Sequence, residues 1–85
     1  MSILVTGGSG FIGSNFIIEW FKLRDEPVVN LDNLTYAARG KNIDNFEVNG
    51  CPYTFVKGDI SDSSLVSKLL KSHKCRAIIN FAAES

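Results

Sequence analysis

The stretch Gly7-Gly8-Ser9-Gly10-Phe11-Ile12-Gly13 sets the tightest limit on this chain, because it directly follows the apolar run Ile3-Leu4-Val5 and leads into helical periodicity. A short buried strand that turns through glycines into a helix is a βα unit, and such units build parallel sheets. Each glycine has a physical task. One makes the tight turn, one lets the backbone come close to a ligand, and one lets the helix pack on the strand. A helix starting near Gly10 presents free N–H groups, a ready seat for an anion, so the turn predicts a dinucleotide pyrophosphate there. Glycine-rich turns also occur in loops that bind nothing. The flanking pattern therefore decides.

Asp32 ends the run Val28-Val29-Asn30-Leu31, about 20 residues beyond the glycines, where an acidic residue is expected on the adenosine ribose. A carboxylate there accepts from both ribose hydroxyls and repels a 2′-phosphate, which favours NAD over NADP. Followed by Asn33, the same aspartate also suits a plain turn after a strand.

Further along, the pattern predicts strand over residues 3–6 and helix over residues 10–23, with Ile12, Phe16, Trp20 and Leu23 forming the stripe that covers the sheet. Pro27 marks entry to a second strand over residues 28–31, whose consecutive apolar residues suit burial on both faces. Between Asn33 and Gly50 the pattern is weak, with a hint of helix over residues 42–46 and breaks at Gly40 and Asn49-Gly50. A third strand over residues 53–56 runs into Gly58-Asp59-Ile60. Ser61 or Asp62 then caps a helix with Leu65, Val66, Leu69 and Leu70 on one face. Lys71, His73, Lys74 and Arg76 cluster at its end, where they complement the helix dipole. A last strand over residues 77–81, apolar on both faces, leads into Ala82-Ala83-Glu84-Ser85.

This order predicts an α/β fold, the N-terminal half of a Rossmann-like doubly wound parallel sheet (β-α-β-α-β-α-β), with strands in the order 3-2-1-4 and a ligand crevice at their carboxyl ends. Residues 1–85 are expected to form one partial NAD-binding domain, without the remaining strands or a substrate domain.

With nine basic and nine acidic side chains and 45% hydrophobic residues, the chain reads as soluble and carries no charge bias towards nucleic acid or anionic membranes. No apolar run reaches the ~20 residues of a membrane span, and with the glycine motif so close to Met1 no signal peptide is expected. A cytoplasmic location is expected. Cys51 and Cys75 match neither a C-x-x-C nor a zinc spacing and are expected as free thiols, with no metal site. His73 has no nucleophile or ligand partner placed for it, so it is expected as a solvated surface histidine.

Four segments carry a resemblance: Thr6 to Asn15 around the glycines, Val29-Asn30-Leu31-Asp32-Asn33-Leu34-Thr35-Tyr36-Ala37, Gly58-Asp59-Ile60, and Asn80-Phe81-Ala82-Ala83-Glu84-Ser85. They resemble the extended short-chain dehydrogenase/reductases, and the second and fourth are similar to the dTDP-glucose dehydratases among them. The resemblance implies that Gly7, Gly10, Phe11, Ile12 and Gly13 surround the NAD pyrophosphate, while Asp32, Asn33, Leu34 and Thr35 surround the adenosine ribose. It implies that the Asp59 carboxylate takes the exocyclic amine of adenine, and that the Ile60 backbone N–H meets a ring nitrogen. Phe81, Ala82, Ala83, Glu84 and Ser85 would line the path to the nicotinamide, with Ser85 also near a dTDP-glucose-type sugar nucleotide. A homodimer is implied as well. Ala38 stands where the family often has glycine, which alters the expected loop beyond Tyr36.

The resemblance also implies several times more residues, with the catalytic groups beyond Ser85, so no catalytic residue is assigned and the segment alone is expected to be inactive. Tyr53 and Lys57 do spell the family's Tyr-x-x-x-Lys pair. On a helix that spacing puts both side chains on one face, whereas on the strand expected here it separates them by roughly 13 Å. Two alternatives stay open: a non-catalytic nucleotide-binding remnant, or the front of another NAD-dependent sugar-nucleotide epimerase or dehydratase.

Overall fold

The computed structural model describes residues 1–7, 11–33 and 50–81. Within them the chain forms β1 (Ser2–Thr6), α1 (Phe11–Leu23), β2 (Val28–Asp32), β3 (Tyr53–Lys57), α2 (Ser63–Ser72) and β4 (Cys75–Asn80). The helix hinted at over residues 42–46 lies outside the described residues, as do Gly8, Ser9 and Gly10.

All strand pairs are parallel, and the sheet order is β3-β2-β1-β4, as the sequence predicts. The two central strands are buried along their whole length, which their unbroken apolar composition requires once both faces are covered. Ile3, Val5 and Val28 meet Ile17 of α1 on one face, while Leu4, Val29 and Leu31 meet Leu69 of α2 on the other. The helices lie on opposite faces because the chain winds outward from β1 through β2 to β3 and then returns past β1 to β4. With one hand of crossover, reversing direction across the sheet reverses the face that the connection covers.

The predicted stripe on α1 needs correction at both ends, since Ile12 is 70% and Leu23 is 79% exposed. Among the α1 residues whose burial is described, Gly13, Ser14 and Ile17 are buried, flanked by Phe16, Ile18, Trp20 and Phe21 packed on the same cluster. Small residues bring the first turns close to the sheet, and the bulky residues spread over the flanks of that contact.

Edge strands differ from central ones. β4 begins at Cys75, earlier than predicted, and its register with β1 slips between Ser2 and Ile3, so Arg76 is passed over as a bulge. The slip moves Ala77 and Ile79 to the α1 face although Cys75 lies on the α2 face. Arg76 therefore belongs to a strand and not to the basic end of α2. Its guanidinium grips Glu26 with two hydrogen bonds, Nε to Oε2 at 2.6 Å and Nη2 to Oε1 at 2.7 Å. The bond from Arg76 holds the Glu26 carboxyl below its usual range. Helix α2 ends without glycine: His73 is its C-cap, and Lys74 takes the left-handed conformation that turns the chain into β4.

Tyr53 settles the Tyr-x-x-x-Lys coincidence. It is a buried strand residue whose hydroxyl accepts from Asn30 Nδ2 at 2.9 Å, while Lys57 is exposed at the far end of the same strand. Cys51 and Cys75 are free and lie at opposite edges of the sheet. Among the described residues no helix is long and apolar enough to cross a membrane, and no group of acidic, histidine and cysteine side chains is placed to hold a metal.

Candidate functional site

Four strand ends meet along one rim. At the end of β1, Gly7 has φ +74°, a left-handed conformation that glycine takes without strain, and its N–H donates to the Leu31 carbonyl at 2.9 Å. This turn lifts the chain off β1 while tying it to β2. Next to it, the Gly58 N–H donates to the Asp32 carbonyl at 3.1 Å, which ties the exit of β3 to the end of β2. On the other side, Phe81 N–H donates to the Thr6 carbonyl at 2.7 Å and Thr6 Oγ1 donates to Asn80 Oδ1 at 2.6 Å. Backbone hydrogen bonds thus fix the spacing of the rim from β3 to β4.

Along that rim the sequence-predicted residues fall in strand order. Asp32 ends β2 and is only 4% exposed, and Asn33 beside it is half-buried. Asp59 and Ile60 follow β3 and are both exposed. Phe81 follows β4 and is half-buried, its ring packed on Phe16 of α1 with centroids 5.3 Å apart. Ile12, in the first turn of α1, points away from the sheet into solvent. Gly10, Leu34, Thr35, Ala82, Ala83, Glu84 and Ser85 lie outside the described residues.

Two features of the rim were not expected. Asp62 alone is the N-cap of α2, its Oδ1 accepting from Leu65 N–H at 3.1 Å, and Ser61 instead donates to Asp59. Both the Ser61 N–H, at 2.9 Å, and its hydroxyl, at 2.8 Å, reach Asp59 Oδ1. These bonds, the backbone one foremost, hold the Asp59 carboxyl below its usual range. The Asp-x-Ser spacing was the available signal, since such residues close local turns onto backbone N–H groups.

The second feature is Gly58. A methyl group at this position would collide with Leu65 Cδ2 and come within 3.2 Å of Leu31 Cδ1. Glycine is what allows α2 to lie close over the exit of β3. Gly58→Ala is expected to lower stability by about 1 kcal/mol through overpacking, measured by chemical denaturation, because the tip of the Leu65 side chain must swing aside, whereas Gly50→Ala has open space around its Cβ and is strained instead by a backbone φ of +80°.

A parallel sheet wound in two directions, with a glycine turn and two carboxylates on one rim, defines a Rossmann-like α/β unit. The chain belongs to the GDP-mannose 4,6 dehydratase family, whose pattern matches residues 4–85. It is 52% identical over 82 residues to dTDP-glucose 4,6-dehydratase of Xanthomonas campestris pv. campestris, covering 96% of this chain and 23% of the relative. The crystal structure of dTDP-glucose 4,6-dehydratase from Bacillus anthracis, in complex with NAD, superposes with a TM-score of 0.86 at 40% identity, covering 99% of this chain and 27% of that one. The UDP-glucose-4-epimerase of Stenotrophomonas maltophila, with bound NAD, gives 0.83 at 31% identity, covering 100% of this chain and 25% of that one. The chain spans about a quarter of the length of these relatives.

Proposed function

We propose that these residues form the adenosine-side NAD-binding part of a nucleotide-sugar 4,6-dehydratase acting on dTDP-glucose. The observation that carries this reading is the order of groups along the rim: glycine turn on β1, buried carboxylate on β2, exposed carboxylate after β3. Strands in a sheet stand about 4.8 Å apart, so successive ends meet successive parts of a nucleotide. A pyrophosphate at β1, a ribose at β2 and an adenine beyond β3 follow that order.

The residues fit the cofactor by their chemistry. Gly7 keeps the first turn clear of side chain, Asp32 offers acceptors to ribose hydroxyls, and Asp59 offers Oδ2, which takes no hydrogen bond from the described residues. When bound, NAD supplies hydride transfer, taken from the sugar and later returned to it. What this chain contributes is binding and orientation, and residues 1–85 are part of the cofactor domain. The acid and base groups belong to a longer polypeptide, with a homodimer and a cytoplasmic location as parts of the same proposal.

The test is titration of the intact polypeptide with NAD, followed by incubation with dTDP-glucose. NAD binding and a 4-keto-6-deoxy sugar product are expected, and no product is expected from residues 1–85 alone. The likeness to the Stenotrophomonas epimerase supports a second reading. Interconversion of UDP-glucose and UDP-galactose without dehydration would establish that one instead.

A further inference from the structure

The double contact between Ser61 and Asp59 does more than begin a helix. Helix α2 already has its cap in Asp62, and the Asp62 N–H is itself held by the Asp59 carbonyl at 2.9 Å. The start of α2 is therefore secured by bonds that do not involve the Ser61 hydroxyl. That hydroxyl instead joins the Ser61 N–H on a single carboxylate oxygen, Oδ1, of an exposed aspartate. An exposed aspartate ordinarily rotates in solvent, and freezing it on a ligand costs affinity. Here two donors on one oxygen fix the carboxylate plane beforehand and turn the remaining oxygen into a directed acceptor.

We propose that Ser61 is a positioning residue for recognition of a purine amine, holding Asp59 Oδ1 so that Oδ2 is aimed at the exocyclic amine of the cofactor's adenine. The inference rests on the cofactor reading above and adds a residue and a selectivity to it. It makes the site selective for an aminopurine over a purine that lacks the amine, because the prealigned oxygen has a partner only in the first.

The experiment is calorimetric titration of the intact polypeptide with NAD and with nicotinamide purine dinucleotide, in which hydrogen replaces the exocyclic amine. The wild type is expected to prefer NAD by about 10- to 100-fold, the range of a charge-assisted hydrogen bond. Ser61→Ala is expected to cut that preference by about 3- to 10-fold while leaving the affinity for the purine analogue within about twofold. Ser61→Thr, which keeps a hydroxyl, retains the preference, and Ser61→Val, similar in shape to threonine without one, cuts it as Ser61→Ala does. A purely structural serine would lower the melting temperature and leave the preference unchanged. If Asp59→Ala abolishes the preference and neither Ser61→Ala nor Ser61→Val alters it, the role of Ser61 is overturned and the cofactor reading stands. If the wild type fails to bind NAD, or binds both dinucleotides equally, the adenine placement falls and this inference falls with it.

Discussion

Leu4→Ala is expected to lower the free energy of unfolding by about 2–5 kcal/mol, seen as a drop in the urea midpoint, whereas Ile12→Ala should shift it by no more than about 0.5 kcal/mol. Leu4 is fully buried in the central strand, with Val29 beside it in register on β2 and Leu69 of α2 packed in the same cluster. Strands on both sides pin its backbone, so the sheet cannot collapse into the space that a lost isobutyl group leaves. Domains of this size are marginal, with a total stability of about 5–15 kcal/mol. One such cavity removes a large part of it. Ile12 serves as the internal control because it is equally apolar, belongs to the stripe expected from periodicity, and is 70% exposed. Equal losses from the two substitutions would mean that the first turn of α1 packs on the sheet after all.

The contrast between Leu4 and Ile12 marks where the residues alone were sufficient. Unbroken runs such as Ile3-Leu4-Val5 and Val28-Val29 have one stable solution, a strand covered on both faces, and two helices between parallel strands can cover both faces in few ways. Strand order followed from that constraint. The buried face of α1 did not, because periodicity weights large apolar residues, whereas Gly13 and Ser14 are buried alongside Ile17. The first turn is where the glycine motif and the helix overlap, so rules for ligand approach and rules for core packing act on the same residues.

Edges were legible only in part. The expected order 3-2-1-4 places the apolar run Ala77-Ile78-Ile79 at an edge, and there Ile78 is 50% exposed while Ala77 and Ile79 pack on the α1 cluster. Helix α2 covers Leu4, Val29 and Leu31 and does not extend over Ile78. The bulge at Arg76, whose guanidinium meets Glu26 from the loop after α1, could not be read from composition either. At the rim, Asp32 and Asp59 were legible as residues after strands. The use of Ser61 was not, because Asp62 offers an equally good cap and three-dimensional placement selects between them.

Asp32→Asn is expected to narrow the preference for NAD over NADP by about 10- to 100-fold, mainly by improving NADP binding. The carboxylate ends β2, and the proposed order of the dinucleotide along the rim would bring the ribose hydroxyls to it. A 2′-phosphate there would stand roughly 6 Å from the carboxylate. At an effective dielectric of about 20 the two charges repel by about 3 kcal/mol, and each 1.4 kcal/mol is a factor of ten. Asparagine keeps the shape and one acceptor oxygen while removing the charge, so NAD is retained at reduced affinity and NADP is no longer repelled. Competitive titration of the two dinucleotides with the intact polypeptide measures the ratio. A gain in NADP affinity cannot come from a misfolded protein, which makes this outcome specific. If Asp32 only begins a turn with Asn33, the substitution weakens both dinucleotides by the same factor through lost stability, and their ratio stays where it was.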